Sequence, residues 1–219
     1  MGRRFGLSRT IEGACNPATM AIIVYDMQVG VLGQLPDGGA EAVQRASRVL
    51  AAARDGGYPV FFTRHMSLPV RLLGTSQLRT AMRWQQVDDP EKVESWFLRD
   101  SPGFQIVPQL APRSEEAVFD KLAMSAFAGT PLEMALRDLG IRAFAITGVA
   151  LEIGIAPTVW HGVDLGLIPV VVTDACCGRD HPAMQRVLDD FRFSGDALLT
   201  DVATITPLLA APPSAEASL

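Results

Sequence analysis

The chain has 219 residues, of which 48% are hydrophobic and 20% charged, with a formal net charge of −5 and a pI near 5.2. This length and hydrophobic content predict one well-cored domain rather than two. The acidic balance and the scattered arginines exclude the basic surface that nucleic-acid binding requires, and no apolar run approaches the length of a membrane span.

Three cysteines are present, of which only Cys176 and Cys177 are adjacent. They form neither a disulfide framework nor a zinc motif, which indicates a reducing compartment. The N-terminal residues carry charge but lack the apolar core of a secretion signal. We therefore expect a cytoplasmic protein that acts on a small molecule and binds neither nucleic acid nor a membrane.

Strands and helices are predicted to alternate after an N-terminal arm over residues 1–19, which is polar and glycine-bearing. The β-branched run AIIVY at 21–25 predicts the first strand, with Asp26 at its carboxyl end. Asp26 alone could equally be a solvated turn residue. Apolar spacing predicts a helix over 41–54, and the run PVFFT predicts a strand over 59–63.

Residues 66–113 break this alternation. They contain Trp84, Trp96 and Phe97, and an Asp-Pro pair predicts a helix over 89–97. A segment of this length between strands is typical of a lid or a pocket wall. The alternative is that its aromatic side chains only cover the edge of the sheet.

The rest of the chain returns to the alternating pattern. Further strands are predicted over 117–121, 143–147, 168–173 and 197–200, and helices over 130–139, 153–165 and 182–191. Residues 207–219 are interpreted as a flexible tail, which leaves 20–206 as the domain. The pattern predicts an α/β three-layer sandwich, whose ligands bind beyond the carboxyl ends of the strands.

Common cofactor and metal motifs are missing from the sequence. His65, His161 and His181 lack the spacing of metal ligands, no G-x-S-x-G elbow occurs, and no G-x-G-x-x-G follows the first strand. We therefore expect a reaction that needs neither a metal nor a cofactor.

Four segments occur in a fixed order: AIIVYDMQ, FDKLAMSAFAGTPLEMAL, ITGVALEIGIAPTV and VVVTDACCG. With them the chain resembles the isochorismatase-like hydrolase superfamily over residues 21–205. The resemblance implies a Rossmann-like, six-stranded parallel sheet in the order 3-2-1-4-5-6. It also implies a homodimer or homotetramer, an expectation that the apolar face of the 153–165 helix supports.

The triad of this family is Asp, Lys and Cys, and the resemblance matches it to Asp26, Lys121 and Gly154. Glycine supplies no nucleophile. In this the chain resembles the isochorismatase branch, which cleaves a vinyl ether without a covalent intermediate. Cys176 and Cys177 follow a different strand, and we interpret them as packing residues rather than as a relocated nucleophile.

The turn before Gly154 carries further expectations. The resemblance implies a cis peptide bond between Val149 and Ala150, and anion-binding amides at Ala150 and Gly154. Glu152 either caps the following helix or positions a water or a polar substrate group. Gly154 is expected to leave room for substrate or water. The residues expected to contact substrate are Gln28, Trp84, Phe127, Ala150 and Glu152.

Three functions are considered, and the first, on a small polar metabolite, is favoured. The first is hydrolysis of a vinyl ether assisted by Asp26 and Lys121, which needs Asp26 to carry a proton; burial favours that state and a nearby Lys121 opposes it. The second is hydrolysis of an amide or imide by water that Asp26 activates. The third is a non-catalytic protein that binds a ligand or a partner. The presence of both ionisable residues favours an enzyme.

Overall fold

The structure is a computed structural model that describes residues 10–35, 37 and 39–211. Its strands are β1 (Met20–Tyr25), β2 (Val60–His65), β3 (Ala117–Lys121), β4 (Ala143–Val149), β5 (Ile168–Cys177) and β6 (Leu198–Thr200). They form one sheet in the order β3-β2-β1-β4-β5-β6, and all neighbours run parallel. The predicted α/β class and strand order are confirmed.

The helices are α1 (Ile11–Ala14), α2 (Val29–Leu32), α3 (Ala40–Asp55), α4 (Thr75–Gln85), α5 (Leu132–Asp138), α6 (Ala156–Asp164), α7 (His181–Ser194) and α8 (Val202–Ala210). A π-helical turn, Leu151–Ile155, leads directly into α6. Among the described residues, no helix is long and apolar enough to cross a membrane.

Alternate residues of β1 point into two separate hydrophobic cores. Ile22 and Val24 pack with residues of α3 and α8 on one face of the sheet. Ile23 and Tyr25 pack with residues of α5, α6 and α7 on the other face. The period of two in a strand therefore produces the three layers, and it places the Tyr25 side chain on the same face as α6.

The long segment between β2 and β3 differs from its prediction. The helix predicted over 89–97 is wrong, since only a single 3₁₀ turn, Pro90–Lys92, forms there. The Gln85 side chain donates to the carbonyl of Glu94 (2.7 Å) and accepts from its amide (2.9 Å), so these backbone groups bind a side chain instead of a helical neighbour. The sequence analysis missed α4, in which no residue is fully buried.

The predicted flexible tail, 207–219, includes residues that belong to a helix. Helix α8 continues through Pro207 to Ala210, and its residues Ile205 and Leu209 are buried against α3 and the sheet. Apolar burial therefore extends the helix beyond the point where the composition becomes rich in proline and alanine. Residues 1–9 of the predicted arm and 212–219 of the predicted tail lie outside the described residues.

Gly148 allows β1 and β4 to approach each other at the end of the sheet where the site lies. Its φ is +136°, and a Cβ built on it would lie 2.0 Å from the carbonyl oxygen of Tyr25. Backbone atoms cannot move aside as a flexible side chain can. Only glycine therefore fits at this position without displacing the strand.

We expect Gly148→Ala to destabilise the protein by about 3 kcal/mol or more, because it adds a backbone clash to an unfavourable φ. The matched control is Gly140→Ala, since Gly140 has a φ of +71° with no atom within 4 Å of the added Cβ. That change should cost about 1 kcal/mol. Urea unfolding measures both, and equal losses would contradict the argument.

Candidate active site

Asp26 and Lys121 meet beyond the carboxyl ends of β1 and β3. The two strands are not neighbours, because β2 lies between them. The Lys121 side chain extends past the end of β2, and its Nζ lies 2.6 Å from Oδ2 of Asp26. The side chains are 0% and 6% exposed, so this is a buried ion pair. Parallel strand ends brought the two residues together as the sequence predicted.

The second oxygen of the carboxylate also has a donor. The hydroxyl of Thr63, in β2, donates to Oδ1 of Asp26 at 2.6 Å, and the Asp26 amide donates to the carbonyl of Thr63 at 3.2 Å. Asp26 has a φ of +49°, so its side chain leaves the strand direction at this point. These bonds fix the orientation of the carboxylate.

The ammonium of Lys121 is similarly surrounded. Besides Asp26, it donates to the carbonyl of Ala123 at 3.2 Å and lies 4.3 Å from the centroid of the Tyr25 ring. Two of its N–H groups thus donate to protein oxygens, and its positive charge faces the Tyr25 ring. Lys121 therefore acts on Asp26 and on the loop after β3 rather than on a group in the cavity.

The turn after β4 forms the other side of the site. The Val149–Ala150 bond is cis, as the family resemblance implied. The amide of Gly154 donates to the carbonyl of Ala150 at 2.9 Å within the π-helical turn, so it is not directed at the cavity. A Cβ on Gly154 would lie 2.1 Å from Oη of Tyr25. The expectation that Gly154 leaves room for substrate or water is therefore wrong, because Tyr25 occupies that space.

Two adjoining cavities open at this edge of the sheet. The smaller one, about 90 Å³, has Asp26, Gly154 and Arg179 among its lining residues. The larger one, about 410 Å³, lies between α4 and residues 94–97. Four residues line both cavities: His65, Trp84, Phe97 and Met124. The segment between β2 and β3 is thus a pocket wall, one of the two alternatives that its sequence left open.

The Isochorismatase domain family matches residues 20–204. The chain belongs to the isochorismatase family. Members of this family are hydrolases, and this chain is one of them. The non-catalytic alternative is accordingly set aside.

Individual relatives agree with this placement. An uncharacterised isochorismatase family protein, YecD of Escherichia coli O157:H7, is 32% identical over 167 residues, which cover 74% of this chain and 81% of the relative. The ureidoacrylate amidohydrolase RutB of Methylobacterium radiotolerans is 26% identical over 181 residues, covering 74% and 68%.

Solved structures show the same fold. An isochorismatase family protein from Desulfovibrio vulgaris has a TM-score of 0.72 at 26% identity, covering 88% of this chain and 99% of the other. A cysteine hydrolase from Pseudomonas syringae pv. phaseolicola has a TM-score of 0.75 at 22% identity, covering 94% and 95%.

The residues predicted to contact substrate in this isochorismatase-family site divide into two groups. Ala150 and Trp84 line the cavities. Gln28 does not, because its amide donates to the carbonyls of His65 (3.1 Å) and Phe104 (3.0 Å) and its oxygen accepts from the His65 amide (2.6 Å). Phe127 is buried edge-on against Phe144 in the core. Gln28 and Phe127 therefore bond to or pack against neighbouring protein groups and do not line the cavities.

Glu152 makes a contact that its position in the sequence did not suggest. Its Oε1 accepts from the amides of Arg179 (2.8 Å) and Asp180 (3.2 Å), in the turn before α7. It does not cap its own helix, and it is not among the residues that line the two cavities. Glu152 thus joins the turn after β4 to the turn after β5 and helps to place Arg179.

Neither adjacent cysteine lies at the cavities. Burial raises the pKa of the Cys176 thiol far above its ordinary value and that of Cys177 to about 12. Their Sγ atoms lie 3.7 Å and 3.8 Å from the carbonyls of Ile146 and Gly148. A buried thiol that stays protonated is not a nucleophile, which supports the interpretation as packing residues. Among the described residues, no group of three His, Cys, Asp or Glu gathers as metal ligands would.

The sequence analysis missed four residues that line this site or bond to it: Tyr25, Thr63, His65 and Arg179. Thr63 and His65 lie at the carboxyl end of β2, where the rule for open sheets directs attention. That rule, applied to the second strand as it was to the first and third, would have found both. No pattern in the sequence distinguishes Tyr25 from an ordinary core residue.

His65 gives the site a measurable pH dependence. Burial lowers its pKa from 6.5 to about 4, with Lys121 adding to the effect and Asp26 opposing it. Its ring packs edge-on against Phe97, with centroids 5.8 Å apart. The unfolded chain therefore binds a proton between pH 6.5 and 4 that the folded protein does not bind.

We expect this residue to contribute about 3 kcal/mol of stability above pH 6.5 that is lost as the pH falls through about 4. His65→Phe cannot be protonated, so its unfolding free energy should depend less steeply on pH in this window. The control is His181→Gln, at an exposed position of α7. Urea unfolding at several pH values measures the slopes, and parallel slopes for His65→Phe and wild type would refute the prediction.

Proposed function

We propose that this chain hydrolyses the amide-type carbon–nitrogen bond of a small metabolite that carries a carboxylate, using water that Asp26 activates. The observation that carries the proposal is the setting of Asp26. Its carboxylate lines the smaller cavity while it accepts from Lys121 and Thr63, each at 2.6 Å. A buried, oriented carboxylate next to a cavity is suited to general base catalysis.

The same geometry favours an amide over a vinyl ether. Cleavage of a vinyl ether needs a protonated Asp26 that can deliver its proton to the enol carbon. An ion-paired carboxylate with two short donors is instead a proton acceptor. The relative named ureidoacrylate amidohydrolase supports the same choice, since its name describes hydrolysis of an amide.

In the proposed reaction, Asp26 takes a proton from water as the water oxygen bonds to the substrate carbonyl carbon. The carbon–nitrogen bond of the tetrahedral intermediate then breaks, and Asp26 returns the proton to the leaving nitrogen. The products are a carboxylic acid and an amine or ammonia, and Asp26 is again a carboxylate. Lys121 holds Asp26 in place throughout, because its ammonium donates to Asp26 and to the carbonyl of Ala123 and lies over the Tyr25 ring.

Arg179 supports a substrate with a negative charge. Among the described residues that line the smaller cavity, it is the only Lys or Arg. A guanidinium can hold a carboxylate with two parallel hydrogen bonds. The larger cavity, with walls that include Trp84, Trp96 and Phe97, fits an apolar or aromatic portion of the same molecule.

A screen of N-carbamoyl amino acids, ureido acids, simple amides, imides and vinyl ethers tests the reaction class. It is read by release of ammonia, amine or acid from the carbon–nitrogen compounds, and by release of an aldehyde or ketone and an alcohol from the vinyl ethers. On the substrate found, Asp26→Asn should reduce kcat/KM by ~10²–10⁴-fold, the usual value of a general base. Full activity of Asp26→Asn would rule out this site. Turnover of vinyl ethers alone would rule out the amide assignment.

Two controls accompany this experiment. Asp120→Asn makes the same chemical change one residue before Lys121, where Asp120 is ion-paired with Arg64 at 2.7 Å, and should leave activity within a few-fold. Cys176→Ala/Cys177→Ala should do the same, because neither thiol lines the cavities. Inactivation of the folded double variant would indicate a thiol nucleophile instead.

Arg179→Gln should raise KM for carboxylate substrates by ~10-fold or more and leave kcat nearly unchanged, because it removes binding to a group that does not react. Amides without a carboxylate should show no such change. Arg179→Lys keeps the charge and should recover part of the loss. Equal effects on charged and neutral substrates would show that Arg179 does not bind the carboxylate.

A further inference from the structure

The space beside Gly154 is filled by another side chain. A Cβ built on Gly154 would lie 2.1 Å from Oη of Tyr25 and 2.6 Å from both Cε1 and Cζ of its ring. Non-bonded Cβ contacts below 3.0 Å essentially do not occur in proteins. The conflict involves the ring as well as the hydroxyl, so rotation of the O–H bond cannot relieve it.

The Tyr25 ring is held in this place from three directions. It is 1% exposed, and its backbone is paired in β1 with Thr63 of β2 and Gly148 of β4. Its hydroxyl donates to the carbonyl of Met124, in the loop after β3. The ammonium of Lys121 lies 4.3 Å from the ring centroid. A shift of the ring would therefore disturb the same ammonium that holds Asp26.

Burial also keeps the phenol from acting as a nucleophile itself. It raises the pKa of Tyr25 well above the ordinary value, and the neighbouring Asp26 raises it further. The hydroxyl is therefore neutral at physiological pH and is engaged with Met124. Tyr25 can fill the position without offering an anionic oxygen in place of a thiolate.

We propose that Tyr25 determines the reaction class of this site, because its ring occupies the space that a nucleophilic side chain at position 154 would need. Water at Asp26 is then the attacking group. This inference rests on the proposed function for its catalytic meaning, but the exclusion itself is a packing relation between two residues. Gly154 and Tyr25 therefore act as a pair. A nucleophilic side chain fits at position 154 only if the Tyr25 ring is also replaced by a smaller side chain.

The test compares Gly154→Cys with Tyr25→Val/Gly154→Cys, with Tyr25→Val as the reference for the second change. Valine suits a central strand and removes the ring. The melting temperature, the yield of folded protein and the rate of alkylation by iodoacetamide, located by peptide mass spectrometry, are measured for each protein. None of these readouts depends on the substrate, so failure of the proposed function would be seen separately in the Asp26→Asn experiment.

We expect Gly154→Cys alone to lose stability or fail to fold. The same change should cost much less when it is added to Tyr25→Val, because the two positions are in direct contact. The introduced thiol should react about ten-fold faster or more in the double variant. Tyr25→Phe/Gly154→Cys is the matched control: it removes only the hydroxyl, the ring atoms still clash, and the recovery should be smaller.

The proposal is overturned if adding Gly154→Cys lowers the melting temperature and the yield of folded protein as much in the Tyr25→Val background as in the wild type. It is also overturned if Gly154→Cys alone keeps the wild-type melting temperature and reacts as fast as the double variant. Recovery with phenylalanine as complete as with valine would show that the ring does not fill the space, and would overturn it as well.

Discussion

The buried ion pair between Asp26 and Lys121 is the constraint around which the site is built. Two charges removed from water are tolerated only when each is fully bonded, and removing one partner typically costs about 3–5 kcal/mol. Thr63, Ala123 and the Tyr25 ring supply the remaining contacts. The ends of β1, β2 and β3 are therefore fixed relative to one another by the chemistry of a single pair.

Because Lys121 is engaged in this ion pair, it and Arg179 have different roles. Lys121 is engaged by protein groups and positions Asp26, whereas Arg179 lines the cavity and is available to a ligand. Glu152, in the turn after β4, helps to place Arg179, since it accepts from the amide of Arg179. The positive charge that is paired with Asp26 and the positive charge that lines the cavity thus belong to different residues, one at the end of β3 and one in the turn after β5.

Tyr25 links the ion pair to the position that lacks a nucleophile. It contacts the Lys121 ammonium through its ring face and blocks a side chain on Gly154 with its edge and hydroxyl. One rigid aromatic side chain therefore makes both contacts. It fills the volume beside Gly154, as close packing of protein interiors requires.

The sequence by itself determined the α/β class and the positions of all six strands, because short apolar runs rich in β-branched residues are local patterns. It also placed Asp26 and Lys121 at strand ends, and the family resemblance grouped them in one site. Only the tertiary structure decided that Gln28 and Phe127 support the site, that Glu152 binds the turn before α7, and that Tyr25 fills the space at Gly154. It also replaced the helix over 89–97 with α4. These outcomes depend on contacts between residues far apart in the chain, and local propensity carries no information about such contacts.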